Sequence, residues 1–196
     1  MDDFWLYFQL GWQHILDWQG YDHILFVMVL CISYALTDWK KVLVLVTAFT
    51  IGHSITLALS VLKFISLNSA IIEFLIPVTI LSTAFHNILN KKSAGKRTKA
   101  RYFLALGFGL IHGMGFSNYL KSLLGKNTSI IQELLAFNLG LEAGQVIIVL
   151  GILGLSSLLI NFVKIKRYDW NFFISSAIFG ISFVMAAERF SAAFLN

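Results

Sequence analysis

The chain is short of charge. Asp, Glu, Lys and Arg make up 13% of its 196 residues, whereas 58% is hydrophobic and 15% aromatic, with a mean hydropathy of +0.77. A soluble domain carries about 25% charged residues, so this composition excludes that class and predicts an integral membrane protein of one domain, residues 1–196. Cysteine is almost absent. Cys31 stands alone inside an apolar run, which excludes an intramolecular disulfide and leaves the redox compartment unread. Proline occurs once. A basic domain face is also missing. The formal net charge of +5 comes from lysines and arginines confined to short segments between apolar runs, where membrane topology accounts for them. That distribution argues against nucleic acid as a partner. The opening Met1-Asp2-Asp3 lacks the positive n-region and cleavage site of a signal peptide, so the N-terminus is expected to be retained.

What the chain has in abundance is apolar runs near the roughly 20 residues a membrane-spanning helix needs. Residues 22–37, 41–65, 69–90, 102–124, 129–162 and 171–192 are candidates, predicting an all-α polytopic bundle of about six transmembrane helices. Before the first run, Trp5, Phe8, Trp12 and Leu16 recur at helical spacing, with Gln9, Gln13 and Asp17 on the other side. That pattern predicts an amphipathic helix over residues 1–19 lying in the membrane interface.

Lysine and arginine concentrate in alternate connections: Lys40 and Lys41, then Lys91, Lys92, Lys96, Arg97, Lys99 and Arg101, then Lys164, Lys166 and Arg167. An excess of these residues marks the cytoplasmic side. Residues 91–101 therefore read as a basic cytoplasmic loop, with both termini outside. This loop divides the chain into halves of three runs each, and no internal repeat is evident between them.

Ionisable residues inside such runs are costly and mark functional sites. Counting along the runs puts His53 near the middle of the second, His112 near the middle of the fourth and Glu142 at comparable depth in the fifth. Asp22 and His23 enter at the outer end of the first, preceded by His14 and Asp17. Glu73 lies near the outer end of the third run and His86 near its inner end. Neutral imidazole suits nickel, zinc, copper and iron, and a carboxylate offsets the charge of a dication held in lipid. His23, His53, His112, Asp22 and Glu142 are accordingly the expected metal ligands. His14, Asp17, Glu73, Asn138 and Gln145 are expected at the entry or in support of the ligands. The spacing is not a local chelate signature, so such a site must be assembled from different helices.

The stretches HILDWQGYDHILF (14–26), FTIGHSITLAL (49–59), FGLIHGMGF (108–116) and FNLGLEAGQ (137–145) resemble, in order and spacing, motifs of the HupE/UreJ family of bacterial membrane proteins. Glu73, with Thr79, Ser82 and Asn87 downstream, is similar to the family's intervening segment, so the resemblance covers about residues 10 to 150. Gly52 stands where a small alanine is usual before the His-Ser pair, and Trp18-Gln19 lengthens the stretch before Gly20. The resemblance implies a permease or metal-delivery accessory protein of the bacterial inner membrane, chiefly for nickel, with cobalt or copper as relatives. Carried over by position, its motif residues are His14, Asp22, His23, His53, Ser54, Glu73, His112, Glu142 and Gln145. The partners it implies are the metal ion, membrane lipid and metalloenzyme-maturation proteins, alongside a second copy of the chain.

Two chemistries fit these residue types. In a carrier, His14 and Asp17 collect a hydrated dication, Asp22 and His23 strip water, and His53, His112 and Glu142 hold the ion before its release past His86; such a site must bind weakly enough to let go. In an intramembrane zinc hydrolase acting on a lipid or lipid-linked amide or ester, His23, His53 and His112 bind zinc, Asp22 or Glu142 is the general base and Ser54 steadies the oxyanion. A structural subunit without metal is the third reading.

Overall fold

The computed structural model describes residues 3–65, 68–89, 99–123 and 130–195, and all regular structure among them is helical. Seven α-helices follow in order: α1 (Asp3–Leu16), α2 (Asp22–Cys31), α3 (Trp39–Val61), α4 (Ser69–Leu89), α5 (Lys99–Leu123), α6 (Ile130–Asn161) and α7 (Arg167–Phe194), with a 3-10 turn, Leu36–Asp38, leading into α3. Four of them are long and apolar enough to cross a membrane: α3 counted with its leading turn, α4, α6 and α7. α5 has 25 residues and packs along α3. Large apolar side chains such as Phe103, Ile131, Leu150 and Phe173 are exposed on the outside of the bundle, as expected where the surrounding solvent is hydrocarbon. Most of the expected basic loop, residues 91–98, lies outside the described residues; its last three, Lys99 to Arg101, open α5.

Glycine sets the closest helix contacts. A Cβ on Gly11 of α1 would overlap the Phe137 carbonyl of α6, and one on Gly140 of α6 would overlap that of Phe8. The same holds between α3 and α5, where Gly52 faces the Leu106 carbonyl and Gly109 that of Phe49. Small residues permit this backbone contact in membrane bundles. Each pair runs parallel: Gly11 lies at Phe137 and Ile15 at Gly144, while Gly109 lies at Phe49 and Gly113 at His53 and Thr56. α3 and α6 run oppositely, since His53 meets Phe137 while Thr47 meets Glu142. α4 and α7 are also antiparallel, with Phe74 against Phe190 and Phe85 against Phe179.

The N-terminal region corrects the sequence expectation. α1 does not lie apart as an interfacial helix; it packs lengthwise on α6, burying Tyr7 and Ile15 beside Leu134, Phe137 and Leu141. The face that covers α6 is Tyr7, Gly11 and Ile15 rather than the stripe of Trp5, Phe8, Trp12 and Leu16, and Gly11 is the crossing point. α2 is only 10 residues long, about 15 Å, too short to cross alone. It runs in the same direction as α4, with Asp22 reaching Arg189, which also holds the Glu73 carbonyl, and the Val29 carbonyl accepting from Asn87. α4 and α6 share that direction, so α1 and α2 follow one another end to end, interrupted at residues 17–21. Together they span about 36 Å, the length of one crossing.

Basic residues collect at one end of the bundle, where α3 begins, α6 ends and α7 begins: Lys40, Lys41, Lys164, Lys166 and Arg167. The starts of α1, α4 and α6 and the end of α7 lie at the opposite end, called distal below.

Candidate metal centre

Four elements bring four imidazoles together. His14 comes from the last turn of α1, His23 from the first turn of α2, His53 from the middle of α3 and His112 from the middle of α5. One ring nitrogen from each of His14, His23 and His53 lies within 4.8 Å of the others. The His112 ring centroid is 5.2 Å from that of His23. His53 and His112 are fully buried and His23 is nearly so.

Their hydrogen bonds leave ligand atoms bare. Nδ1 of His23 is 3.0 Å from Oδ1 of Asp22; because a carboxylate only accepts, Nδ1 carries the proton and Nε2 presents a lone pair. Arg189 holds Asp22 in place, with Nη1 3.6 Å from Oδ2 and a 3.0 Å bond to the Glu73 carbonyl. At His112, the Thr79 hydroxyl donates its one proton to the Ile76 carbonyl at 2.7 Å. It can then only accept from His112 Nε2, 3.2 Å away, which leaves Nδ1 bare. Nε2 of His14 and of His23, both nitrogens of His53 and Nδ1 of His112 are buried without a hydrogen-bond partner. Each such atom costs about 1–3 kcal/mol if nothing satisfies it. Five in one cluster fit a bound cation. A tetrahedral ion with bonds of 2.0–2.1 Å needs ligand atoms about 3.4 Å apart, so small side-chain rotations would close the group on it.

A cavity of about 700 Å³ opens above the cluster toward the distal end, and the interruption between α1 and α2 forms part of its wall. Asp17, Asp22 and Glu73 line it against the single guanidinium of Arg189. Three carboxylates to one cation favour a positively charged visitor.

Other expected site residues stand elsewhere. Glu142 is outside the histidine group, and its Oε1 accepts from the Thr47 hydroxyl at 2.6 Å. On α6 it faces Thr47 of α3, six residues before His53, and so lies about 9 Å nearer the basic end than the histidine cluster. Ser54 donates to the Thr50 carbonyl at 2.7 Å. Gln145 is fully buried with Oε1 accepting from Thr50 at 2.7 Å, and Asn138 donates to the Leu134 carbonyl at 2.8 Å. His86 lies in a separate cavity toward the basic end. His14, expected at the entry, is within the cluster. Thr79 and Arg189 as partners of His112 and Asp22 were missed, since contacts between distant helices leave no mark in spacing. The signal that bears on His14 is Gly11 one turn earlier, the same Gly-x-x-His pattern as Gly109 and His112.

Helices long and apolar enough to cross a bilayer, gathered around buried imidazoles, define a helical membrane protein with a candidate metal centre. The chain belongs to the HupE/UreJ family: the model of the HupE / UreJ protein family matches residues 1–190. No curated protein and no solved structure matches it.

Proposed function

We propose that the chain is a multi-pass carrier of the bacterial inner membrane that takes a divalent transition metal, nickel or zinc by ligand chemistry, from the distal side into the bilayer. His14, His23 and His53 are its ligands, and His112 supplies a fourth imidazole through Nδ1. Asp22 acts through His23, fixing its tautomer and orientation as a carboxylate does behind many metal-bound histidines. Asp17 and Glu73 draw the hydrated ion into the cavity. The distal side is the exterior, both termini lie there, and α1–α2, α3, α4, α5, α6 and α7 make six crossings; the basic residues at the other end support this orientation.

The observation that carries this reading is the group of buried, unpartnered imidazole nitrogens at the floor of an acidic cavity. The hydrolase reading has less behind it. Ser54 and Glu142 are occupied by Thr50 and Thr47, and Asp22 is engaged by His23 and Arg189, so none of the residues assigned to base or oxyanion chemistry stands free for it. Titration of the purified protein with nickel(II) or zinc(II) tests the proposal. One ion per chain is expected, with binding weakened at least tenfold in His53→Ala and unchanged in His86→Ala. Equal affinity in the wild type and His53→Ala would overturn it.

A further inference from the structure

We infer that the two halves of the chain, α1 to α4 and α5 to α7, are inverted repeats of one fold, and that a metal ion passes the bundle by exchange between their conformations. The inference rests on the carrier reading. Its basis is a position-by-position match of contacts. Let α1 stand for α5 with Gly11 on Gly109, α3 for α6 with Gly52 on Gly140, and α4 for α7 with Phe74 on Phe179. The Gly11 contact with Phe137 and Leu141 then becomes the Gly109 contact with Phe49 and His53, and that of Gly140 with Phe8 and Trp12 becomes that of Gly52 with Leu106 and Leu110; all four are present. His14 becomes His112 and Phe137 becomes Phe49: their ring centroids are 5.8 Å apart in one pair and 5.1 Å in the other. Asn138 bonds back to the Leu134 carbonyl as Thr50 does to that of Val46. The Phe74–Phe190 contact becomes Phe85–Phe179.

The pair α1·α6 runs opposite to α3·α5, so the operation relating them is a two-fold axis perpendicular to the helices, passing near the histidines. A substrate site on such an axis, beside an interrupted helix, is the arrangement of carriers that alternate access by rocking one repeat against the other. The two halves differ in one respect that the exchange would reverse. The first crossing is broken at 17–21 and opens the large cavity, whereas α5 continues unbroken through the matching positions.

A smaller counterpart of that cavity exists toward the basic end. It has a volume of about 210 Å³ and is lined by Val29 and Leu30 of α2, Leu45 of α3, Thr83 of α4, and Leu104 and Phe108 of α5 among others. Phe108 is the match of Leu10, which lines the open cavity. Between the two lies one aromatic layer. On α2, α3 and α5 the same order repeats toward the basic end: a histidine (His23, His53, His112), one turn on a phenylalanine (Phe26, Phe49, Phe108), and one turn further a residue of the smaller cavity. Phe26 is 4.8 Å from Phe49 and 5.9 Å from Phe108 by ring centroids, and 5.1 Å from His112. This layer is the inner gate, and the small cavity is the release chamber.

Single cysteines at Gln13 in the larger cavity and Thr83 in the smaller one, in a Cys31→Ala background, test this with a membrane-impermeant thiol reagent applied to vesicles of each orientation. Nickel(II) is expected to slow labelling of Gln13→Cys and to speed that of Thr83→Cys, each at least threefold, and His53→Ala to cancel both changes. Ser82→Cys reports on the same chamber should Thr83→Cys fail to fold. Labelling at both positions that stays constant, or falls at both, while calorimetry still detects bound nickel would overturn the inference and leave the metal site standing. Absence of nickel binding itself would instead sink the carrier reading on which it rests.

Discussion

Asp22 decides which nitrogen of His23 faces the cluster. It sits behind Nδ1 at 3.0 Å and is itself held by Arg189, so its charge reaches the metal position only through the imidazole. Asp22→Asn should weaken metal binding by about 10- to 100-fold while the helix content by circular dichroism stays unchanged; binding equal to the wild type would remove Asp22 from the site. Thr79→Val is expected to act through His112, lowering affinity less than His112→Ala does. Acid should weaken binding at every ligand. Each imidazole must be neutral to coordinate, so affinity falls once the pH is low enough for protons to compete and recovers on neutralisation. Isothermal titration at successively lower pH checks the sign; affinity that rises on acidification would mean the ion is not on histidine. At this scale the residue types were legible from the sequence, because so few ionisable groups stand in so apolar a chain. Their assembly was legible only in part: run counting did not show that Glu142 pairs with Thr47 about 9 Å from His53, and whether His14 turns inward depends on helix phase against partners far away in the chain.

Helix packing rests on glycines at two interfaces, α1 with α6 and α3 with α5. A methyl group at Gly52 would meet the Leu106 carbonyl, and one at Gly140 that of Phe8, both rigid backbone atoms. Alanine at either position should destabilise the fold by about 1–3 kcal/mol, the usual cost of overpacking. Gly52→Ala should also weaken metal binding, since α3 must move away from α5 and carries His53 with it. Gly151 and Gly154 have open space where a Cβ would go, and their alanine variants should leave both properties unchanged in thermal unfolding and titration. Equal thermal stability in all these variants would contradict the glycine contacts. The helices α3 to α7 are close to the apolar runs 41–65, 69–90, 102–124, 129–162 and 171–192, since run length against bilayer thickness is a strong constraint. The end-to-end arrangement of α1 and α2 was not legible. Its two short pieces each look like something else, an interfacial helix and a full span, until α6 is seen to run beside both.

For the molecule as a whole, the orientation and the repeat belong together. Reporter enzymes fused after Asn196 should be active only if they fold outside the cytoplasm, and an alkaline phosphatase fusion is expected to be active where a green fluorescent fusion is dark; the reverse would place the distal cavity on the cytoplasmic side. The repeat escaped the sequence because its conserved content is a handful of contact positions, Gly-x-x-His in α1 and α5 and Phe-x-x-Gly in α3 and α6, diluted among interchangeable apolar residues. The symmetry is carried by backbone proximity, which tolerates almost any side chain elsewhere on the helix. The central claim, that imidazoles from separate helices hold one ion, is tested most directly by X-ray absorption on the purified protein loaded with a single equivalent of nickel(II) or zinc(II). The expected spectrum has at least three imidazole nitrogens at about 2.0–2.1 Å, reduced by one in His53→Ala; a shell of oxygen alone, the same in the wild type and the variant, would contradict it.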